Sequence, residues 1–113
     1  MSIDNWTKVK NELIGENADM YVISSENITV SKFEFRETID LPTHSHDSEQ
    51  ITVVVEGEMT IKYGEIEKKM SAGDACIIPA NVPHSAKISK VPFKSYDIFY
   101  PIREDFIRKI NNE

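Results

Sequence analysis

Short runs of β-branched and aromatic residues alternate with turn-forming residues from Met20 to Tyr100. Each run and the turn that follows it take about 8 to 12 residues, a spacing typical of an antiparallel sandwich or barrel. The chain is therefore predicted to be all-β. The predicted strands cover residues 20–24, 28–38, 51–56, 59–63, 66–70, 75–78, 85–90 and 94–100, and the turns between them include residues 40–42, 56–58 and 91–92.

Helical periodicity is found only near the C-terminus, where Phe106, Ile107 and Ile110 follow Pro101 and form an apolar stripe. We predict one domain in three parts: an N-terminal arm over residues 1–19, a barrel over residues 20–100 and a helical tail over residues 101–113. The arm has few apolar anchors, so it is expected to be irregular or to hold a short strand.

The predicted strand over residues 50–55 has two different faces. Its odd positions are all apolar: Ile51, Val53 and Val55. Its even positions are mixed: Gln50, Thr52 and Val54. Side chains alternate across a strand, so one face is expected in a core or a subunit interface and the other in a lumen that holds polar groups. The apolar odd face is expected to seal a homodimer.

Composition restricts the partners and the compartment. The 113 residues include 13 Lys and Arg against 19 Asp and Glu, a net charge of −6, which denies the chain the basic surface that nucleic acids require. No apolar stretch approaches the roughly 20 residues of a membrane helix. A single cysteine and a start without an apolar signal core indicate a cytoplasmic protein. We expect a small-molecule substrate, with neither nucleic acid nor membrane as partner.

All three histidines occur in two short segments, which predicts a metal site. His44 and His46 are two residues apart and would share one face of a strand. Gln50 has the same parity and Glu49 the opposite one, but a bulge after His46 would reverse that choice. His84 follows two prolines in a rigid turn that can direct it back toward the pair. The alternative is that these are ordinary surface or core histidines.

Two longer patterns resemble the motifs of the cupin superfamily. The first is His-x-His, then Glu and Gln, then six residues and Gly; the second is Gly-x5-Pro-x-Asn-x2-His. The first pattern comprises His44, His46, Glu49, Gln50 and Gly57. The second comprises Gly73, Pro79, Asn81 and His84. The resemblance implies a double-stranded β-helix, or jelly-roll barrel, with a short C-terminal helix. Asn81 replaces a Gly of the family, and Asn tolerates the left-handed conformation that such a turn needs.

Residues 44–51, 78–84 and 97–106 further resemble the single-domain cupins of the pectin-degradation type. In that family, a metal held by three His and one Gln assists the conversion of 4,5-unsaturated uronates to linear keto forms. The resemblance implies one divalent transition-metal ion, with Zn, Ni, Mn and Fe all possible, and a functional Asp-x-Phe pair. The implied ligands are His44, His46, Gln50 and His84, and the implied functional pair is Asp97 and Phe99.

The residue types agree with that chemistry. A neutral ligand set leaves the full charge on the ion, which favours Lewis-acid chemistry over oxygen activation. Asp97 and Phe99 share one strand face, and a carboxylate beside an aromatic wall can shuttle a proton. In the alternative interpretation, Asp97 caps a strand or pairs with Lys94 and Phe99 is core. An anionic substrate needs cations, for which the candidates are Arg36, Arg103 and Lys32.

The sequence thus predicts a metal-dependent cupin enzyme that tautomerises a small carbohydrate acid such as an unsaturated uronate. One alternative is an iron-dependent dioxygenase, which would be favoured if Glu49 were the fourth ligand. Another is a barrel that binds metal and a small molecule without catalysis.

Overall fold

Eight strands and one helix form in residues 5–111, the part of the chain that the computed structural model describes. Residues 1–4 of the predicted arm and residues 112–113 of the predicted tail lie outside that part. Every strand pairing is antiparallel. The elements are β1 (Thr7–Val9), β2 (Ala18–Ser24), β3 (Thr29–Phe35), β4 (Ile39–His44), β5 (Glu49–Tyr63), β6 (Ile66–Ser71), β7 (Ala75–Ile78), β8 (His84–Tyr100) and α1 (Glu104–Ile110).

Two long strands, β5 and β8, pair with each other and join the two layers of the fold. The first part of β5 pairs with β7 and its last part with β6. The first part of β8 pairs with β4 and its last part with β3, beyond which lie β2 and β1. This is the predicted all-β jelly roll, and α1 is its short C-terminal helix. Among residues 5–111, no helix has the length and apolar character needed to cross a bilayer.

The strands β5 and β8 pass from one layer to the other at Gly57, where the pairing register shifts. The φ angle of Gly57 is +83°, and a Cβ atom there would lie 2.5 Å from the carbonyl oxygen of Lys90 and 2.7 Å from that of Pro92. Only glycine fits such a close approach of two backbones.

Three turn predictions are therefore wrong. Residues 56–58 and 91–92 lie within β5 and β8, because both strands bend there without ending. Residues 40–42 lie in β4, which has β8 as its partner and can hold Pro42 because an edge strand tolerates a missing backbone N–H. The expectation for Asn81 is confirmed, since its φ angle is +65°.

The inner faces of the two layers form the core, to which β5 contributes even positions before Gly57 and the odd positions Met59 and Ile61 after it. Thr52 and Val54 are only 2% and 1% exposed, whereas Ile51 and Val55 are 39% and 47% exposed. The two-faced strand is confirmed: its mixed face turns inward and its apolar face turns outward. Between the layers the core leaves a cavity of about 390 Å³.

Candidate functional site

The cavity has mainly apolar walls with a small group of polar side chains that converge in it. Phe33, Leu41 and Ile88 belong to its apolar wall. Its volume of about 390 Å³ is within the range of small-molecule sites. The polar lining comprises Asn11, Glu12, His44, Gln50, Thr52, His84, Ser95, Asp97, Arg103, Asp105 and Lys109.

Two of the three histidines, His44 and His84, line this cavity, and the ring of His46 lies beside theirs. The centroid of His84 lies 4.2 Å from that of His44 and 5.0 Å from that of His46, and one ring nitrogen from each histidine lies within 4.8 Å of the others. His44 ends β4 directly opposite His84, the first residue of β8. His46 belongs to the loop before β5, so the argument from strand alternation is wrong for this residue. The loop, and not a strand, brings His46 to the cluster.

The backbone fixes the tautomer of each ring. Each Nδ1 atom lies at hydrogen-bond distance from the carbonyl oxygen of a residue two positions away; the pairs are His44 with Pro42 at 3.1 Å, His46 with Ser48 at 2.8 Å and His84 with Val82 at 2.9 Å. A carbonyl only accepts, so each Nδ1 carries the hydrogen and each Nε2 presents a lone pair. This carbonyl–imidazole arrangement is the one that orients metal-ligating histidines.

Two Nε2 atoms lack a hydrogen-bond donor. That of His84 is buried without a hydrogen-bond partner among the described residues, and that of His46 lies 3.0 Å from the amide oxygen of Gln50, itself an acceptor. Burial lowers the pKa of His46 and lowers that of His84 to about 4, so a proton does not occupy the Nε2 atoms of these rings near neutral pH. Three imidazoles and an amide oxygen fit a divalent transition-metal ion.

Gln50, and not Glu49, is brought to the histidines. Gln50 is 7% exposed and lies on the inner face of β5, whereas Glu49 is exposed and lies opposite Tyr100. The pairing of β5 with β8 has no register shift between Glu49 and Val54. The choice of Gln50 over Glu49 is therefore set by the inner face of β5 itself; residues 45–48 are not in a strand, so parity with His44 and His46 does not explain it.

Asp97 lies on the inner face of β8 and is linked to Gln50 through Thr52. The Gln50 amide nitrogen donates to Thr52 Oγ1 at 2.8 Å, and this hydroxyl donates to Asp97 Oδ1 at 2.7 Å. Burial raises the pKa of Asp97 to about 6, although the hydrogen bonds from Thr52 and Gln50 act in the opposite direction. Lys94 forms its ion pair with Glu34 at 3.7 Å, so it is not the partner of Asp97.

Phe99 and Arg103 form an adjacent wall of the cavity. The Phe99 ring is perpendicular to that of His46 at 5.4 Å, and the Arg103 guanidinium lies 4.8 Å from the Phe99 centroid and 3.9 Å from the Phe106 centroid. Arg103 also donates to both carboxylate oxygens of Asp105, at 3.0 and 2.8 Å. Burial alone would raise the pKa of Asp105, but Arg103 outweighs it and the pKa is lowered.

Arg36 and Lys32 lie away from the cavity, which corrects the assignment of Arg36 to substrate binding. The Arg36 guanidinium donates to Asp19 at 2.8 Å and to the Glu16 carbonyl at 2.9 Å. Lys32 lies over the ring of Tyr21 at 4.6 Å. Lys32 has the outward parity of β3, whose inward positions Phe33 and Phe35 line the cavity, and Arg36 directly follows the end of this strand.

Lys109 is a cavity residue that the sequence analysis missed. It follows Phe106 by three positions on α1, so the two residues share one helix face. Phe106 is buried and both residues line the cavity, while the Lys109 ammonium donates to the Lys10 carbonyl at 2.9 Å. The i, i+3 spacing was the only available signal, and it points to the cavity only once the docking of α1 is known.

The fold is a jelly-roll barrel, and three imidazoles and one amide converge at its cavity. These features together define a class of barrel protein that can bind a metal ion. The model of the cupin domain matches residues 33–99, which are 67 of the 113 residues. The chain therefore belongs to the cupin family.

Solved structures share the fold. KdgF from Halomonas sp. superposes with a TM-score of 0.75 at 21% identity, with 91% of each chain covered. An RmlC-like cupin from Shewanella frigidimarina NCIMB 400 gives a TM-score of 0.72 at 28% identity, with 87% of this chain and 88% of that one covered. The recognition of a cupin with a jelly-roll fold is confirmed, and the pectin-degradation type stays a prediction from the sequence motifs.

Among curated proteins, the H2HPP isomerase of Bacillus subtilis is 44% identical over 45 residues. That match takes in 39% of this chain but only 19% of the isomerase, so it relates a segment and not the whole of either protein.

Proposed function

We propose that this cupin is a metal-dependent enzyme that tautomerises a small carbohydrate acid, with unsaturated uronates as the substrate class. The observation that carries the proposal is the position of Asp97: its carboxyl group lines the same cavity as the histidine cluster and is linked to Gln50 through Thr52. The resemblance to cupins of the pectin-degradation type and the similarity of a segment to an isomerase support the same reaction class.

In a cyclic 4,5-unsaturated uronate the hemiacetal opens first: the bond between C1 and the ring oxygen breaks, the C1 hydroxyl loses its proton as it becomes a carbonyl, and the ring oxygen takes up a proton to give an enol. Ketonisation of that enol then moves one proton from oxygen to carbon. The electron pair of the C=C bond forms the new C–H bond, and the C–O bond becomes a carbonyl, so neither oxidant nor reductant is needed. A bound divalent ion supplies Lewis-acid polarisation of a substrate oxygen. Asp97, with its pKa raised to about 6, is available both to accept and to return a proton near neutral pH.

Arg103 is the cation that we assign to the substrate carboxylate. Asp105 takes the hydrogen bonds of Nε and Nη2, which leaves Nη1 for an anionic ligand. Phe99 and Phe106 hold the guanidinium plane in place through their rings. Since the chain has a net charge of −6, this local cation and the ion at the histidines would together attract an anionic sugar.

The test is the loss of conjugated-alkene absorbance when protein loaded with Ni²⁺, Zn²⁺, Mn²⁺ or Fe²⁺ is mixed with unsaturated galacturonate. We expect acceleration over buffer, a fall in kcat of about 100-fold or more in Asp97→Asn, and a raised KM in Arg103→Gln. Arg36→Gln and Glu49→Gln are matched controls, because both side chains lie outside the cavity, and they should keep the wild-type rate. No acceleration with any of the ions, or full activity in Asp97→Asn, would refute the proposal.

The dioxygenase alternative would be favoured if Glu49 were the fourth ligand. Glu49 is exposed on the outer side of β5, so that supporting observation is missing and Gln50 favours the tautomerase. If the protein binds metal and the uronate but does not convert it, the barrel is a binding module and the enzymatic proposal is wrong.

A further inference from the structure

Thr52 occupies a central position between the histidine cluster and Asp97. It is 2% exposed, and its hydroxyl group makes two hydrogen bonds, one accepted from the Gln50 amide nitrogen at 2.8 Å and one donated to Asp97 Oδ1 at 2.7 Å. The other end of the same amide, Oε1, lies 3.0 Å from His46 Nε2. The four side chains therefore form one continuous line from an imidazole to a carboxyl group.

The count of hydrogens along this line determines which way the amide faces. A threonine hydroxyl has a single hydrogen, and here Asp97 accepts it. Thr52 Oγ1 then has only lone pairs left, so it can accept a hydrogen bond from an amide N–H but cannot donate one to an amide oxygen. The nitrogen of Gln50 must then face Thr52, so its oxygen faces the histidines. Reversing the amide would place two oxygen lone pairs together at 2.8 Å.

We propose that Thr52 is a positioning residue which, together with Asp97, fixes the orientation of the Gln50 amide so that Oε1 is presented to a metal ion at the histidine cluster. The inference rests on the metal-binding part of the proposed function and is independent of the substrate. An amide that presented Nε2 instead would direct N–H groups at the cation and remove one of the four ligands.

The first experiment compares Thr52→Val, which keeps the shape and removes the hydroxyl, with Thr52→Ser, which keeps the hydroxyl. Co²⁺ is the probe, with affinity measured by competition with a chelator and ligand geometry by its visible absorption spectrum. Thr52→Val should weaken Co²⁺ binding by about 10- to 100-fold, the range for residues that orient metal ligands, and alter the spectrum. Thr52→Ser should restore both. Equal affinity and equal spectra in wild type and Thr52→Val would overturn the proposal.

A double-mutant cycle separates positioning of the amide from a general effect on the fold. The carboxylate of Gln50→Glu has two equivalent oxygens and no N–H, so its presentation does not depend on which end Thr52 contacts. An oxygen of the new carboxylate faces Thr52 in either orientation, so the hydroxyl has no N–H to accept from. Adding Thr52→Val to Gln50→Glu should therefore lower Co²⁺ affinity by less than threefold. The same large loss in both backgrounds would show that Thr52 acts through structure alone, and the proposal would be wrong.

A third measurement uses the unaltered, metal-free protein and remains available if Thr52→Val does not fold. In ¹⁵N-labelled protein, the side-chain amide signal of Gln50 is assigned by its disappearance in Gln50→Glu. Its protons should show nuclear Overhauser contacts to the Thr52 methyl group and not to the His46 ring. The opposite pattern would overturn the proposal even if the enzyme were active, whereas the expected pattern in a protein without turnover would leave the proposal standing and reject only the function.

Discussion

Thr52 donates a 2.7 Å hydrogen bond to Asp97, yet the pKa of that carboxyl group is raised to about 6. Burial in the cavity wall favours the neutral acid more strongly than the hydrogen bond favours the anion. In the unfolded chain the same group titrates near its ordinary value of 3.8. Asp97 therefore binds a proton more tightly in the folded protein than in the unfolded chain.

This difference predicts the effect of Asp97→Asn on the stability of the metal-free protein. The wild-type fold has the full contribution of protonated Asp97 below pH 4 and loses it as the pH rises to about 6. The neutral amide has no such dependence. We therefore compare the free energy of unfolding of Asp97→Asn with that of wild type at each pH. The value for Asp97→Asn minus the value for wild type should be larger at pH 7.5 than at pH 4, by up to about 2 kcal/mol.

Urea unfolding of both proteins in the presence of a chelator measures this difference. The comparison at each pH cancels the titration of all other groups, because they are common to both chains. A difference between the two proteins that stays constant from pH 4 to pH 7.5 would contradict the raised pKa.

The histidine cluster predicts stabilisation by divalent metal ions. A ligand at 100 times its dissociation constant stabilises a fold by about 2.7 kcal/mol, which corresponds to roughly 10 °C in Tm for a domain of this size. Thermal melts with and without Zn²⁺ or Ni²⁺ should show this shift in wild type. His44→Ala should abolish it, since His44 is exposed and its loss removes a ligand with little effect on packing.

Asp47→Asn is the matched control for that measurement. Asp47 is exposed and adjacent to His46 in sequence, but it is not part of the histidine cluster. It should keep the full metal-induced shift. If His44→Ala and wild type respond equally, the ion binds elsewhere.

The close backbone contact at Gly57 predicts that adding one methyl group at this position lowers the stability of the fold. In Gly57→Ala the new Cβ would lie 2.5 Å from the Lys90 carbonyl oxygen, which belongs to the backbone and cannot rotate away. Left-handed strain and overpacking together should destabilise the fold by about 3 to 4 kcal/mol. Gly64→Ala is the control, because Gly64 also has a positive φ angle but its Cβ would meet nothing within 4 Å.

Urea unfolding should therefore show a loss of only about 1 kcal/mol for Gly64→Ala. Equal losses in the two variants would mean that the close approach of β5 and β8 at Gly57 is relieved at little cost.

Local patterns predicted most of this fold, and the failures have physical causes. Alternation in residues 51–56 identified the inward face because one side of that strand is buried. The strand β4 was missed because Pro42 is a turn signal, and the sequence does not show that this segment lies at a sheet edge. Spacing identified the three histidines, but the loop that delivers His46 has no periodicity.

For the candidate cations, too, local sequence patterns predict some positions, whereas others depend on long-range contacts. Arg36 was chosen for its charge, while the parity of its neighbours Phe33 and Phe35 already placed it on the outer face. Arg103 and Lys109 reach the cavity only because α1 docks against it, a long-range contact that no local pattern encodes.

The outer face of the sheet predicts self-association. Cross-strand register aligns five apolar residues, one on each of five neighbouring strands, into a continuous row that we call the outer row: Ile23, Val30, Ile98, Ile51 and Ile77. Ile51 is 39% and Ile77 60% exposed. An exposed apolar row of this length is typical of an interface. The predicted homodimer remains a prediction, and the outer row is the surface that we assign to it.

The charged side chains beside the outer row leave it open to a second copy of the chain. Beside the outer row, Lys32 lies 4.6 Å from the Tyr21 ring centroid and 5.0 Å from that of Trp6, and further along the same face Lys94 pairs with Glu34. Two such faces can meet around a twofold axis with Lys94 already paired to Glu34 and Lys32 held over aromatic rings. Because a net charge of −6 opposes the association of two copies, the attraction has to come from the apolar outer row.

Light scattering after size exclusion tests the assignment. Wild type should have the mass of a dimer, and Ile51→Lys should be monomeric because it would bury two unpaired ammonium groups in the interface. Ile66→Lys makes the same exchange at a comparably exposed position on β6, away from the outer row, and should stay dimeric. A monomeric wild type, or a dimer that Ile66→Lys disrupts and Ile51→Lys does not, would show that the outer row is not the interface.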